Sequence, residues 1–213
     1  MQSIKDLKNL NKRALIIAAH PDDETIFMGG TIAEFKGWRW TILCVTDCDE
    51  RYNKRRRREF LQACRIYNRG GGKVKPVMLE VVKRKGRFSN SEVKKRIGDF
   101  IERFGPFDII FTHERRGDYG HKTHRLIHNI VKELRPPNLY SFFTPLQKKF
   151  APLLQKIVPS NIQLIKLSPA SRRTKRQALD TYLKGSQKSN LLKLKRLINY
   201  ALNTKAEYFK LVR

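Results

Sequence analysis

Two short stretches of this sequence carry side chains whose types and spacing could do chemistry together. The first, "AAHPDDET" (18–25), places His20, Asp22, Asp23 and Glu24 directly after an apolar run. The second, "GDYGHKTH" (117–124), carries Tyr119, His121 and His124. Three consecutive acids repel one another unless positive charge sits among them, and a divalent cation would supply it. His20 and Asp23 offer a nitrogen and an oxygen from one tight turn. His121 and His124 lie three apart, on one face where a helix has begun. One of these two imidazoles could complete a metal site while the other stays near the substrate. Two nitrogens, one carboxylate and an open position form the donor set of a catalytic zinc, and ligand softness also admits iron, cobalt or manganese. Each stretch has a plainer reading when taken alone. "HPDDE" could be a helix start whose acids suit the helix dipole. His128 makes a competing pair with His124 and reads as an ordinary helix-face histidine.

Both stretches follow predicted strands, which sets them apart from those plainer readings. Apolar, β-branched runs recur along the chain, each followed by a helical pattern. Strands are expected at 13–19, 40–46, 76–82 and 108–113, with two later ones in "NLYSFF" and "NIQLIKL". Helices are expected after the first turn, over "YNKRRRREFLQACRIY", over "SNSEVKKRIGDFIERF" with Ser89 or Ser91 as cap, and over "GHKTHRLIHNIVKEL" up to Pro136 and Pro137. Gly29 and Gly30 weaken the first helix and point to a close approach of its backbone to something else. Such alternation predicts an α/β fold: a mostly parallel sheet with helices on both faces. Ligands of such sheets bind beyond the carboxyl ends of the strands. His20 to Glu24, Asp47 and Asp49, and His113 to His124 all follow strand ends, so they are expected to converge on one edge.

"AAHPDDE" followed by "GG", together with "THERRGDYGHKTH", resembles the PIG-L (LmbE-like) family of metal-dependent de-N-acetylases. "VTDCDE", "RRRRE", "QALDTYLKGSQ" and "AEYFKLV" are similar to further segments of that family, so the resemblance runs over most of the chain. It implies a Rossmann-like fold and the removal of an acetyl group from an N-acetylglucosamine unit. It makes His20, Asp23 and His124 the zinc ligands and Asp22 the general base. His121 and Tyr119 fall where the family places groups that stabilise the oxyanion and protonate the leaving amine. One departure is plain: the family commonly has Pro-Asp between the two histidines, and this chain has Lys122 and Thr123. The chemistry agrees with these roles. A protonated His121 and the Tyr119 hydroxyl would donate to the oxyanion, and Asp22 or His121 would return a proton to the amine. Arg56, Asp47 and Arg87 are candidate contacts to the sugar.

The totals bound the rest. The chain has 213 residues, enough for one domain spanning 1–213. No run of about 18 apolar residues suggests a membrane span, and the first residues lack the pattern of a secretory signal. The three cysteines, Cys44, Cys48 and Cys64, read as free thiols in a reducing cytoplasm. Net charge is the outlier, at +27 from 46 basic and 19 acidic residues. From about 168 the sequence reads as a basic helical segment carrying Arg172, Arg173, Lys175, Arg176, Lys193, Lys195 and Arg196. That segment could meet an anionic membrane, with 188–202 as a surface helix, although leucines at this spacing more often form core. The charge admits an acidic or lipid-linked substrate. It also admits two competing readings: a polyanion-binding protein on the same fold, and a metal amidohydrolase acting on a non-sugar amide. No specific nucleic-acid partner is expected.

Overall fold

The computed structural model describes residues 4–46, 53–81, 88–143, 162–183 and 201–212. Strand and helix alternate as β1 (Arg13–Ala18), α1 (Asp23–Glu34), β2 (Arg39–Thr46), α2 (Asn53–Arg69), β3 (Lys73–Val81), α3 (Asn90–Phe104), β4 (Ile109–Thr112), α4 (Lys122–Glu133) and β5 (Leu139–Phe142). β6 (Ile162–Lys166), α5 (Pro169–Leu183) and β7 (Ala206–Leu211) follow. The strands form a seven-stranded sheet in the order β3-β2-β1-β4-β5-β7-β6. The first five pair in parallel, and β7 runs antiparallel to both of its neighbours. The mostly parallel α/β sheet expected from the alternation is therefore present.

Both faces are covered, as buried apolar strands require. Ala14 and Ile16 of β1 join a core with Phe27, Phe60, Tyr67 and Leu179, from α1, α2 and α5. Leu15 and Ile17, the alternate residues, join a second core with Val93, Ile97, Ile127 and Val131, from α3 and α4. Strand order reverses at β1, which is flanked by β2 on one side and β4 on the other. That reversal opens a crevice at the carboxyl ends, the usual ligand position in such sheets.

Local details match the residue types. Ser89 caps α3, its hydroxyl accepting from the Glu92 N–H at 3.3 Å. The glycine pair of α1 meets close neighbours: a Cβ on Gly29 would stand 2.5 Å from the Tyr67 hydroxyl, and one on Gly30 2.2 Å from Leu167. Cys44 and Cys64 are buried thiols outside any disulfide.

The last segment departs from expectation. Residues 169–183 and 201–203 are helical, but Ala206–Leu211 is a strand lying between β5 and β6. In "AEYFKL" the alternate residues Glu207 and Phe209 are buried while their neighbours are more open, a period of two that only a strand satisfies. Lys175, expected on a basic surface, is instead 2 % exposed and ion-paired to Glu207 at 2.7 Å. The expected surface helix lies largely outside the described residues, as do Cys48, Lys193, Lys195 and Arg196.

Candidate active site

β1 ends in a braced turn. The Ala19 carbonyl accepts from the Thr46 N–H and hydroxyl at 3.0 and 2.6 Å. The Ala19 N–H donates to His113 Nε2 at 2.9 Å, which ties the end of β1 to the end of β4. The chain then turns through Asp22 at φ 119°, a left-handed conformation rare for any residue with a side chain. α1 starts directly afterwards, with Asp23 and Glu24 in its first turn.

The three adjacent acids separate into three environments. Asp23 turns to the histidines: its Oδ2 lies 3.3 Å from His20 Nδ1 and its Oδ1 3.4 Å from His124 Nε2. Burial favours its neutral form, but the His124 and His113 imidazoles outweigh burial and hold the carboxyl well below the usual range. Asp22 turns to Arg56, which donates to its Oδ2 at 2.6 Å and also to the Pro21 carbonyl. Burial raises the Asp22 carboxyl above its ordinary value, against the pull of that guanidinium. Glu24 leaves the site altogether. It accepts from Thr25 and Tyr182 hydroxyls, each at 2.6 Å, and burial lifts it to about 7. The expectation that all the acids face one site is corrected for Glu24. Its position in the helix turns it toward α5.

His124 completes the cluster from the first turn of α4 and is fully buried. Its Nε2 lies 3.2 Å from His20 Nδ1. Its Nδ1 faces Asp118 Oδ2 at 2.7 Å, and His113 Nδ1 faces the same oxygen at 2.6 Å. Because His113 Nε2 already accepts from Ala19, its proton belongs on Nδ1, and Asp118 receives it. His124 Nδ1 donates to Asp118 likewise, which leaves His124 Nε2 turned toward His20 and Asp23. Burial disfavours the His124 imidazolium, yet Asp23 and Asp118 raise the group to about 10. Sequence reasoning expected the 113–124 stretch at this edge but gave His113 and Asp118 no role of their own. The signal available was His113 at a strand end and Asp118 in the loop before His121. Asp118 supplies the orienting carboxylate that Lys122 and Thr123 do not.

His121 and Tyr119 border the cluster. The His121 ring centroid lies 4.8 Å from that of His20 and 4.6 Å from that of His124. Its Nδ1 is buried without a hydrogen-bond partner among the described residues. Burial, with His20 and His124 nearby, depresses His121 to about 4. It therefore stands neutral near pH 7, and the expectation of a protonated His121 gives way to a neutral imidazole that can still donate from one nitrogen. Tyr119 is 40 % exposed at the mouth, its ring 5.2 Å from that of His124. Burial and the Asp23 and Asp22 carboxylates raise its phenol, so it remains a proton-bearing donor. His128 turns away, with its Nδ1 2.7 Å from the His113 carbonyl. Asp47 and Arg87 lie outside the described residues.

This group of side chains could hold a metal ion. Two sets of three, His20 with His121 and His124, and Asp23 with His113 and His124, present donor atoms within 4.8 Å of one another. His113 Nε2 is committed to Ala19, which removes it from contention. His20 Nδ1 and His124 Nε2 stand 3.2 Å apart, and each nitrogen faces a different oxygen of Asp23, His20 Nδ1 at 3.3 Å from Oδ2 and His124 Nε2 at 3.4 Å from Oδ1. Corners of a tetrahedron about 2.0–2.1 Å from its centre are separated by about 3.3–3.4 Å, so two nitrogens at 3.2 Å with an Asp23 oxygen within 3.4 Å of each suit a small divalent ion.

A sequence model of the PIG-L family, described as GlcNAc-PI de-N-acetylase, matches residues 15–135, from β1 past the last of these histidines. The chain belongs to the PIG-L family. Among its relatives, protein L374 of Acanthamoeba polyphaga mimivirus, described as uncharacterized, is 27 % identical, the match covering 61 % of this chain and 60 % of that protein. The 1D-myo-inositol 2-acetamido-2-deoxy-alpha-D-glucopyranoside deacetylase of Gordonia bronchialis is 26 % identical over 55 % of this chain and 54 % of its own. The chain thus spans little more than half the length of these relatives. Among solved structures, the N,N'-diacetylchitobiose deacetylase of Pyrococcus horikoshii superposes with a TM-score of 0.70 at 18 % identity, covering 100 % of this chain and 87 % of that one. GalB, the 4-carboxy-2-hydroxymuconate hydratase of Pseudomonas putida, superposes with a TM-score of 0.60 at 17 % identity, over 95 % of this chain and 96 % of that one. The same fold thus carries more than one reaction among these structures, and the assignment of chemistry rests on the site.

Proposed function

We propose that this protein is a metal-dependent N-deacetylase that releases acetate from an N-acetylglucosamine unit of a glycoconjugate or glycolipid. Zinc is its metal and His20, Asp23 and His124 its ligands. The observation that carries this reading is the convergence of those three side chains at the strand-order reversal, the nearest donor atoms of each pair lying 3.2–3.4 Å apart. Membership of the PIG-L family supports it, as does the acetamido-sugar named for the Gordonia relative. When bound there, zinc would lower the pKa of water and polarise the acetyl carbonyl. Asp22 accepts a proton from the attacking water as its oxygen bonds to the carbonyl carbon. Burial makes this carboxylate more basic than usual, and Arg56 fixes its direction. Tyr119 and neutral His121 donate to the oxyanion. The carbon–nitrogen bond then breaks, Asp22 returns the proton to the amine, and acetate and the free amino sugar leave. Arg56, Asp47 and Arg87 contact the sugar or its aglycone in this reading.

The substrate is small or lipid-linked. None of the helices among the described residues is long and apolar enough to cross a membrane. A lipid-linked substrate would be met through a peripheral basic surface that includes Arg172, Arg173 and Arg176. Acetate release from a panel of N-acetylglucosamine conjugates, with purified protein loaded in turn with zinc and other divalent metals, tests the proposal. Release from at least one conjugate, abolished by chelation, is expected. Stoichiometric metal binding with no acetate from any conjugate would remove the sugar deacetylase reading and leave another metal-dependent reaction.

A further inference from the structure

The opposite edge of the sheet, at the amino ends of the strands, holds a cavity of about 630 Å³ far from the histidine cluster. Its walls include Arg13, Arg39, Lys73 and Lys75. These residues are placed by the strand register. Arg13 of β1 pairs with Arg39 of β2, and Arg39 with Lys73 of β3, so three cations stand side by side at the start of three parallel strands. Lys75, two residues on, faces the same way. Like charges directly opposite on neighbouring strands destabilise a sheet. Lysines on an edge strand commonly guard against edge-to-edge pairing, which would account for β3, but Arg13 and Arg39 sit on interior strands. Asp108, a carboxylate at this end of the sheet, is engaged with the Arg13 backbone N–H at 2.7 Å and with Lys12 at 3.7 Å.

Aromatic surface adjoins the cations. Phe104 is 39 % exposed, one of three large apolar side chains so exposed among the described residues. Lys75 Nζ lies 5.1 Å from its ring centroid and Arg103 Cζ 5.4 Å. Phe107 and Phe100 line the same cavity. Arg13 lies 5.5 Å over Phe107 and donates to the Phe104 carbonyl at 2.7 Å, which fixes that guanidinium in the wall. The volume falls in the range of about 300–1,000 Å³ typical of small-molecule sites. A row of cations beside a part-exposed aromatic ring suits an anion that carries a flat ring, with phosphates on the Lys and Arg groups and the base stacked on the ring.

We propose that this cavity is a second ligand site, which binds a nucleoside di- or triphosphate. Lys73, Lys75 and Arg39 hold the phosphates and Phe104 carries the base. The proposal does not depend on the deacetylase reading, because binding is measured directly.

Isothermal titration calorimetry of the full chain with ADP, pyrophosphate and adenosine, at low and moderate salt, tests it. ADP should bind more tightly than either fragment, and its affinity should fall as salt rises. The double variant Lys73→Glu, Lys75→Glu changes two exposed residues and should weaken ADP binding by about 10-fold or more while keeping the circular dichroism and thermal transition of the parent. Phe104→Ala should weaken ADP by about 5-fold or more and leave pyrophosphate unchanged, since stacking on an aromatic typically contributes on that scale. Equal affinity for ADP and pyrophosphate, unchanged ADP binding in the lysine variant, or uptake by anionic vesicles with no nucleotide binding would each overturn it.

Discussion

Asp22, Asp23 and Glu24 are adjacent, yet one meets imidazoles, one a guanidinium and one two buried hydroxyls. That separation sets what each can do. Asp22→Asn should retain metal and lose turnover by about 100-fold or more, the usual scale of a general base, with metal content measured beside acetate release. Loss of metal instead would make Asp22 a ligand. Asp118 receives hydrogen bonds from His113 and His124 and so orients the second of these toward the cluster. Asp118→Ala should weaken metal affinity by about 10- to 100-fold, as loss of an orienting partner typically does, with little change in fold by circular dichroism. Unchanged affinity would show that packing alone aims His124.

At the scale of elements, α1 carries the site and is held from behind. Glu207 of β7 accepts from the Gly30 and Thr31 N–H groups at 2.8 and 2.7 Å, while Lys175 of α5 donates to the Ile26 carbonyl at 2.9 Å. Breaking such a buried pair from one side leaves a charge without its partner, so Lys175→Met should cost about 3–5 kcal/mol in denaturant unfolding. Replacing Glu207 by Gln as well should recover part of that loss. The far end of α1 has its own tie. Glu34 accepts from Lys8 at 2.6 Å and from the Ser168 N–H at 2.9 Å, and against the cost of burial these bonds depress its carboxyl to about 2. A carboxyl held below its unfolded value stabilises the fold above that value and loses the contribution as pH falls toward the folded one. The stability gap between the parent and Glu34→Gln should therefore be full near neutral pH and vanish between about pH 4.5 and 2. Because the Lys8 end is 43 % exposed and screened by water, about 1 kcal/mol is expected. A gap that stays constant through that range would detach it from ionisation.

At the scale of the whole molecule, β7 lies inside the sheet and joins β6 to β5. Removing residues from 206 onward would unpair two strands, strip Phe209 from the core and isolate Lys175. The shortened chain should lack a cooperative thermal transition, and an intact one would show that the parallel strands fold without it. The excess charge also acts at this scale. Association with anionic vesicles, if the basic surface serves it, should weaken steeply between low and moderate salt, because exposed charges are screened over about 8 Å at physiological ionic strength.

Short apolar, β-branched runs, and the helical patterns that follow them, were enough to place β1 to β5 and the helices between them, since both signals follow from local geometry and composition. The parallel sheet and the meeting of His20 with His124 at its carboxyl edge follow from that alternation. Other features required contacts distant in sequence. "AEYFKL" is too short and too close to basic helical sequence to declare itself a strand, and β5 and β6 supply the hydrogen bonds that make it one. Lys175 has the composition of a surface residue and becomes a core residue because Glu207, 32 positions later, folds against it. His113 and Asp118 take their roles from the Ala19 N–H and from His124, partners that the linear chain does not announce. Residue types and spacing determined which groups could meet a metal. Tertiary packing decided which nitrogen each histidine turns toward it and which acid stands aside, because ring orientation and burial depend on neighbours brought together only by the fold.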